Sequence, residues 1–125
     1  MTTARLFLGL GALLAALGVL FGAFGAHGLK ERVSADMLAV FETGVRYHLV
    51  HALGLVAVGL AAFHLGASGW LRGAGWVMLA GLVIFPGTLY ALALGGPRWL
   101  GAVTPLGGTA FMVAWVLLAV AAFKG

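Results

Sequence analysis

Long uncharged stretches alternate with short polar breaks along the whole chain. The first runs from Leu6 to Ala26, and a helix rising 1.5 Å per residue crosses a hydrocarbon core of about 30 Å in such a run. Arg5 ahead of it and small residues after it also resemble a secretory signal. Its apolar length exceeds the roughly 7–15 residues of a signal core, so it is read as a retained helix. Two further runs follow, and a fourth opens at Thr104-Pro105, an N-cap followed by proline at the first helical position. The pattern predicts an all-α integral membrane bundle in one domain, spanning residues 6–27, 47–66, 73–94 and 104–123. Pro86 lies inside the third run, where its missing N–H predicts a kink, and Gly95-Gly96-Pro97 ends that run.

Between the first two spans the pattern changes. Ser34 suits an N-cap and Asp36 a first helical turn, while Met37, Phe41 and Val45 share one face with Leu38 beside them. Glu42 and Arg46 stand four apart in the favourable order. Residues 34–45 are therefore expected to form a short amphipathic helix at the membrane surface, with Gly44 as the break before the second span. The alternative is a simple extension of that span into water.

Composition agrees with lipid as the main solvent. Hydrophobic residues make up 63% and charged residues 8% of the 125 residues, against about 25% charge in soluble domains; the mean hydropathy is +1.14. The net charge of +4 does not point to nucleic acid. Arg5, Lys30, Arg32, Arg46, Arg72, Arg98 and Lys124 are scattered singly near run ends, where snorkelling anchors belong, rather than clustered on one face. Membrane lipids are the expected partners. Arg5, Arg72 and Lys124 fall on the side of the termini and Lys30, Arg32, Arg46 and Arg98 on the opposite, loop side, too even a division to orient the chain. The absence of cysteine excludes disulfides and thiolate chemistry.

Glycine accounts for 21 residues, about twice its usual share of roughly 7%. Gly11, Gly18 and Gly25 recur every seven residues, and Gly22 completes a G-x-x-x-G with Gly18. A stripe without side chains lets another backbone approach closely. Packing within the monomer is the expected use, and a homo-oligomer contact the alternative.

Polar side chains gather toward the loop side: His27 at the end of the first span, Thr43, Tyr47 and His51 around the start of the second, Thr88 and Tyr90 late in the third, Thr104 at the start of the fourth. Ionisable groups at membrane depth are functional candidates by default, and these residues are the expected ligand pocket. His48 and His51 stand three apart, and with His27 they raise a metal or haem site as an alternative, although no third ligand has a defined spacing. Ser34 and Ser68 are the only serines and neither lies in a G-x-S-x-G turn; three acidic residues give little material for paired-carboxylate chemistry. No catalytic residue, metal or cofactor is expected.

Four segments, G-A-F-G-A-H from Gly22, T-G-V-R-Y-H-L-V-H-A from Thr43, F-P-G-T-L-Y from Phe85 and V-T-P-L-G-G from Val103, resemble the YgdD-like family. Those are small bacterial inner-membrane proteins of unknown function with mitochondrial relatives. The resemblance implies four helices in the cell inner (plasma) membrane with cytoplasmic termini, and no established catalytic residue. Pro86 stands where the family pattern has a serine, while Thr88 keeps the second hydroxyl, and the position of His48 looks variable in such segments. The expected function is non-enzymatic: binding of a lipid or small amphipathic ligand in the loop-side pocket, or a role in membrane assembly. A small oligomeric transporter or channel and a His-ligated metal or haem carrier are the rivals.

Overall fold

The computed structural model describes residues 1–124, and these form helices α1 (Thr3–Phe24), α2 (Ala35–Leu65), α3 (Gly69–Ala93) and α4 (Leu100–Lys124), with a π-helical turn, Gly25–Leu29, continuing α1. No strand occurs among the described residues. Each of the four helices is long and apolar enough to cross a membrane. Successive helices pack chiefly on their neighbours in sequence, α1 on α2, α2 on α3 and α3 on α4. Short connections make neighbours antiparallel, which puts both termini on one face of the bundle.

Capping defines the turns. Thr2, Ser34 and Ser68 each accept a hydrogen bond from the backbone N–H three residues on, starting α1, α2 and α3. Gly66 follows α2 at φ +77°, a left-handed conformation that glycine adopts without a side-chain clash.

The glycine stripe of α1 faces α2. A Cβ on Gly11 would stand 2.6 Å from the Val56 nitrogen and 2.9 Å from the Ala52 oxygen; one on Gly59 would stand 2.5 Å from the Leu8 nitrogen. The α1 and α2 backbones therefore touch, as membrane helices do when lipid supplies no hydrophobic drive for association. Gly18 and Gly25 meet His48, Leu49 and Phe41 of the same helix. The stripe is used within the monomer.

Residues 34–45 do not form a separate surface helix. They are the first turns of a continuous 31-residue α2, about 46 Å long, so the extension reading holds. Leu38 and Val45 pack against a cluster built on Leu29, Phe41 and Ala93, with Phe21 and Tyr90 alongside, so the face expected to meet lipid meets protein. Gly44 is no break either: it lies within α2, where a Cβ would stand 2.8 Å from the Tyr90 ring.

The start of α4 also differs from expectation. Leu100, Gly101 and Ala102 donate backbone hydrogen bonds to the carbonyls three residues back, at 3.0–3.1 Å, and so begin the helix ahead of Thr104-Pro105. Thr104 is inside the first turns rather than at the cap. α3 passes through Pro86 as one helix, Gly69–Ala93, with the proline buried.

Candidate functional site

The expected pocket residues occupy separate places. His27 lies in the π-helical turn and is exposed. Thr43 donates to the Ala39 carbonyl of its own helix at 2.9 Å, a back-bond that leaves its hydroxyl hydrogen engaged. The other five residues divide between two inter-helix polar contacts and one cleft.

The first contact joins three helices and is centred on His48, which is 3% exposed. Its Nε2 lies 2.7 Å from the Leu14 carbonyl in α1 and its Nδ1 2.8 Å from the Tyr90 hydroxyl in α3. A carbonyl only accepts, so Nε2 carries hydrogen; in the neutral ring Nδ1 then accepts from the Tyr90 hydroxyl. Gly18 explains how an imidazole reaches a carbonyl in mid-helix. A helical side chain leans over the turn on its N-terminal side, and one at position 18 would cover Leu14; a Cβ there would stand 3.2 Å from the His48 ring. The Tyr90 ring is wedged between Phe21 and Phe41, both at 4.8 Å between centroids.

The second contact joins α3 to α4. The Thr88 and Thr104 hydroxyls are 2.7 Å apart, and Thr104 lies 3.0 Å from the Leu100 carbonyl. Thr88 also lies 3.1 Å from the Phe85 carbonyl; each hydroxyl has one hydrogen, so the chain runs from Thr88 through Thr104 to Leu100 or from Thr104 through Thr88 to Phe85. Replacing Thr104 by Val keeps the shape and removes that chain. Thermal unfolding in detergent should then show a loss of about 1 kcal/mol, with a smaller further loss when Thr88, which keeps the Phe85 carbonyl as an acceptor, is also replaced by Val.

The third place is a cleft of about 140 Å³ lined by Arg46, Tyr47, Val50 and His51. His51 is 5% exposed. Its ring stacks on Phe111 of α4 with centroids 3.5 Å apart, and the Tyr47 ring, parallel to it, leans on Phe85 of α3 at 4.6 Å. Nδ1 of His51 donates to the Tyr47 carbonyl at 2.8 Å. Its Nε2 makes no hydrogen bond among the described residues and is not fully buried.

Arg46, His48 and Val50 lie outside the pocket expected from sequence. A signal for His48 was present: Phe41, Gly44, His48, His51, Leu55, Val58 and Ala62 alternate three and four apart, and all are buried. That seam puts both imidazoles against other helices. Among the described residues no group of three or more His, Cys, Asp or Glu is placed to share a metal ion.

Fold and polar contacts together define a small multi-pass membrane protein whose helices are joined by partly buried His–Tyr and Thr–Thr pairs. Residues 21–108 match the model of a family described as a protein of unknown function, DUF423. The chain is 48% identical over 120 residues to the UPF0382 membrane protein YwdK of Bacillus subtilis, covering 96% of this chain and 98% of the relative. It is 43% identical over 124 residues to the UPF0382 membrane protein SSP2132 of Staphylococcus saprophyticus, covering 96% and 98%. The chain belongs to this family of membrane proteins of unknown function. No solved structure matches it.

Proposed function

We propose that this chain is a non-enzymatic protein of the cell inner (plasma) membrane, with cytoplasmic termini and YgdD-like kinship. It seats a lipid or other small amphipathic molecule in the cleft at Arg46, Tyr47, Val50 and His51. The observation that carries this reading is an imidazole more than nine-tenths buried that lines a cleft beside a guanidinium while its Nε2 has no protein partner among the described residues. Polar groups at membrane depth are costly without partners, and an amphiphile supplies them. At about 140 Å³ the cleft is smaller than the roughly 300–1,000 Å³ of drug-sized sites. It suits a head group whose tail lies along the lipid-facing surface.

The rival readings have less support. Both ring nitrogens of His48 are engaged by protein groups, which removes the H-x-x-H pair from metal binding. Two glycines inside the spans are filled by neighbours, Gly81 by Phe111 and Gly54 by Met78 and Trp115, leaving no groove at those positions for a permeant. Because the α1 stripe is used against α2, any self-association draws on other surfaces.

The reading is tested by excising the protein from its membrane in polymer-bounded discs and weighing what stays bound under native mass spectrometry. Wild-type chain should retain an amphiphile that His51→Phe and Arg46→Gln hold less well. A wild-type spectrum free of any retained molecule would overturn it.

A further inference from the structure

The cleft orders its hydrogen-bonding groups along the membrane normal, and that order selects a ligand. α2 runs from the loop side toward the terminal side, so His51 lies about 7.5 Å farther from the loop side than Arg46. Arg46, exposed at the mouth, presents donors only and suits an oxyanion. The phenol of Tyr47, 41% exposed, either donates or accepts. Deeper, His51 has its Nδ1 hydrogen on the Tyr47 carbonyl, so the neutral ring offers Nε2 as an acceptor and requires a donor from the occupant. Beyond the cleft the same side of α2 exposes Leu53 and Leu60, a surface for an alkyl chain. The occupant must therefore present, in order of depth, an anion, a hydrogen-bond donor and a tail.

A diacyl phospholipid fails at the second position. Below its phosphate both glycerol oxygens are esterified, and only acceptors would face the His51 lone pair. A phospholipid with one acyl chain keeps a free glycerol hydroxyl at that depth. We propose that the cleft recognises a single-chain phospholipid, with its phosphate on Arg46 and its glycerol hydroxyl donating to Nε2 of His51. The proposal rests on the reading of the cleft as an amphiphile site and adds the identity of the head. The same phosphate-and-hydroxyl chemistry occurs in free glycerol phosphate, which lacks the tail.

The test is a binding competition on the full chain in non-ionic detergent, read as retained adducts by native mass spectrometry. The probes are oleoyl-lysophosphatidylglycerol, its 2-O-methyl ether, dioleoyl-phosphatidylglycerol and glycerol 3-phosphate. The lysolipid should be retained about tenfold over its methyl ether and over the diacyl lipid, the value of one buried hydrogen bond, and glycerol 3-phosphate should not be retained. His51→Phe should equalise lysolipid and methyl ether; Arg46→Gln should weaken both. Val50→Trp, at a half-exposed position, should block every lipid while leaving the helical circular dichroism unchanged.

Equal retention of lysolipid and methyl ether by wild type overturns the proposed head group, and the amphiphile reading survives provided Arg46→Gln still weakens retention and Val50→Trp still abolishes it. Binding of glycerol 3-phosphate as tight as the lysolipid overturns the lipid source. Retention unaffected by all three variants overturns the proposal and the reading beneath it together.

Discussion

Replacing Gly11 or Gly59 by Ala should destabilise the bundle by about 2–3 kcal/mol each, although alanine is the better helix former by roughly 1 kcal/mol. The atoms a new methyl meets decide the sign. At Gly59 they are the Leu8 nitrogen and Cα and the Ala4 oxygen, at 2.5–2.9 Å; at Gly11 the Val56 nitrogen and the Ala52 oxygen are among them. These are backbone atoms of the facing helix, so no side-chain rotation relieves the contact and α1 must move off α2. That movement loosens the whole interface, and it would also withdraw the Leu14 carbonyl from His48. Because one separation of the helices accommodates both methyls, the double variant should lose less than the sum of the singles. Gly9 is the control: nothing lies within 4 Å of a Cβ there, and Gly9→Ala should be neutral or stabilising by up to about 1 kcal/mol. Unfolding by SDS in lipid bicelles, followed by circular dichroism, measures all four variants. A Gly59→Ala chain as stable as Gly9→Ala would show that the two backbones are not in contact.

The second large effect belongs to the His48–Tyr90 pair. Tyr90→Phe leaves the His48 Nδ1 lone pair without its donor in a buried site, and should cost about 1–2 kcal/mol. In a His48→Leu background there is no lone pair to strand, so the same Tyr90→Phe change should cost close to nothing. The pair therefore shows a coupling of about 1–2 kcal/mol in a double-mutant cycle under the same unfolding conditions. Equal cost of Tyr90→Phe in both backgrounds would mean that the 2.8 Å contact contributes nothing specific. Gly44→Ala provides an independent probe, since its methyl would meet the Tyr90 ring at 2.8 Å and push the hydroxyl off its partner.

How much of the candidate site was legible depends on which partner a side chain finds. Tyr47 and His51 could be grouped from sequence because they lie four apart on one helix, and the structure keeps them together with their rings parallel. Arg46 and Val50 complete the same cleft, yet in sequence they resemble an ordinary interfacial cation and an ordinary lipid-facing aliphatic. Thr104 followed by proline carried a strong capping signal. That signal lost to three backbone hydrogen bonds from Leu100, Gly101 and Ala102, which start the helix a turn earlier and turn the hydroxyl toward Thr88. His27 shares a membrane level with the other polar residues, but level says nothing about direction around the helix axis, and the ring is exposed.

Sequence alone was sufficient for the four helices long and apolar enough to span a membrane, the all-α class and the glycine stripe of α1 as a packing face. Each of these is a sum over neighbouring residues: the transfer free energy of a 20-residue window, or the recurrence of a bare position on one helical face. Tertiary structure alone decided that the 34–45 stretch meets protein instead of lipid, that His48 rather than His27 joins the helices, and that Thr104 pairs across to α3. The deciding contacts join residues 34, 42 and 16 positions apart. They depend on how each helix is rotated about its own axis and how closely its neighbour approaches, which local patterns do not specify.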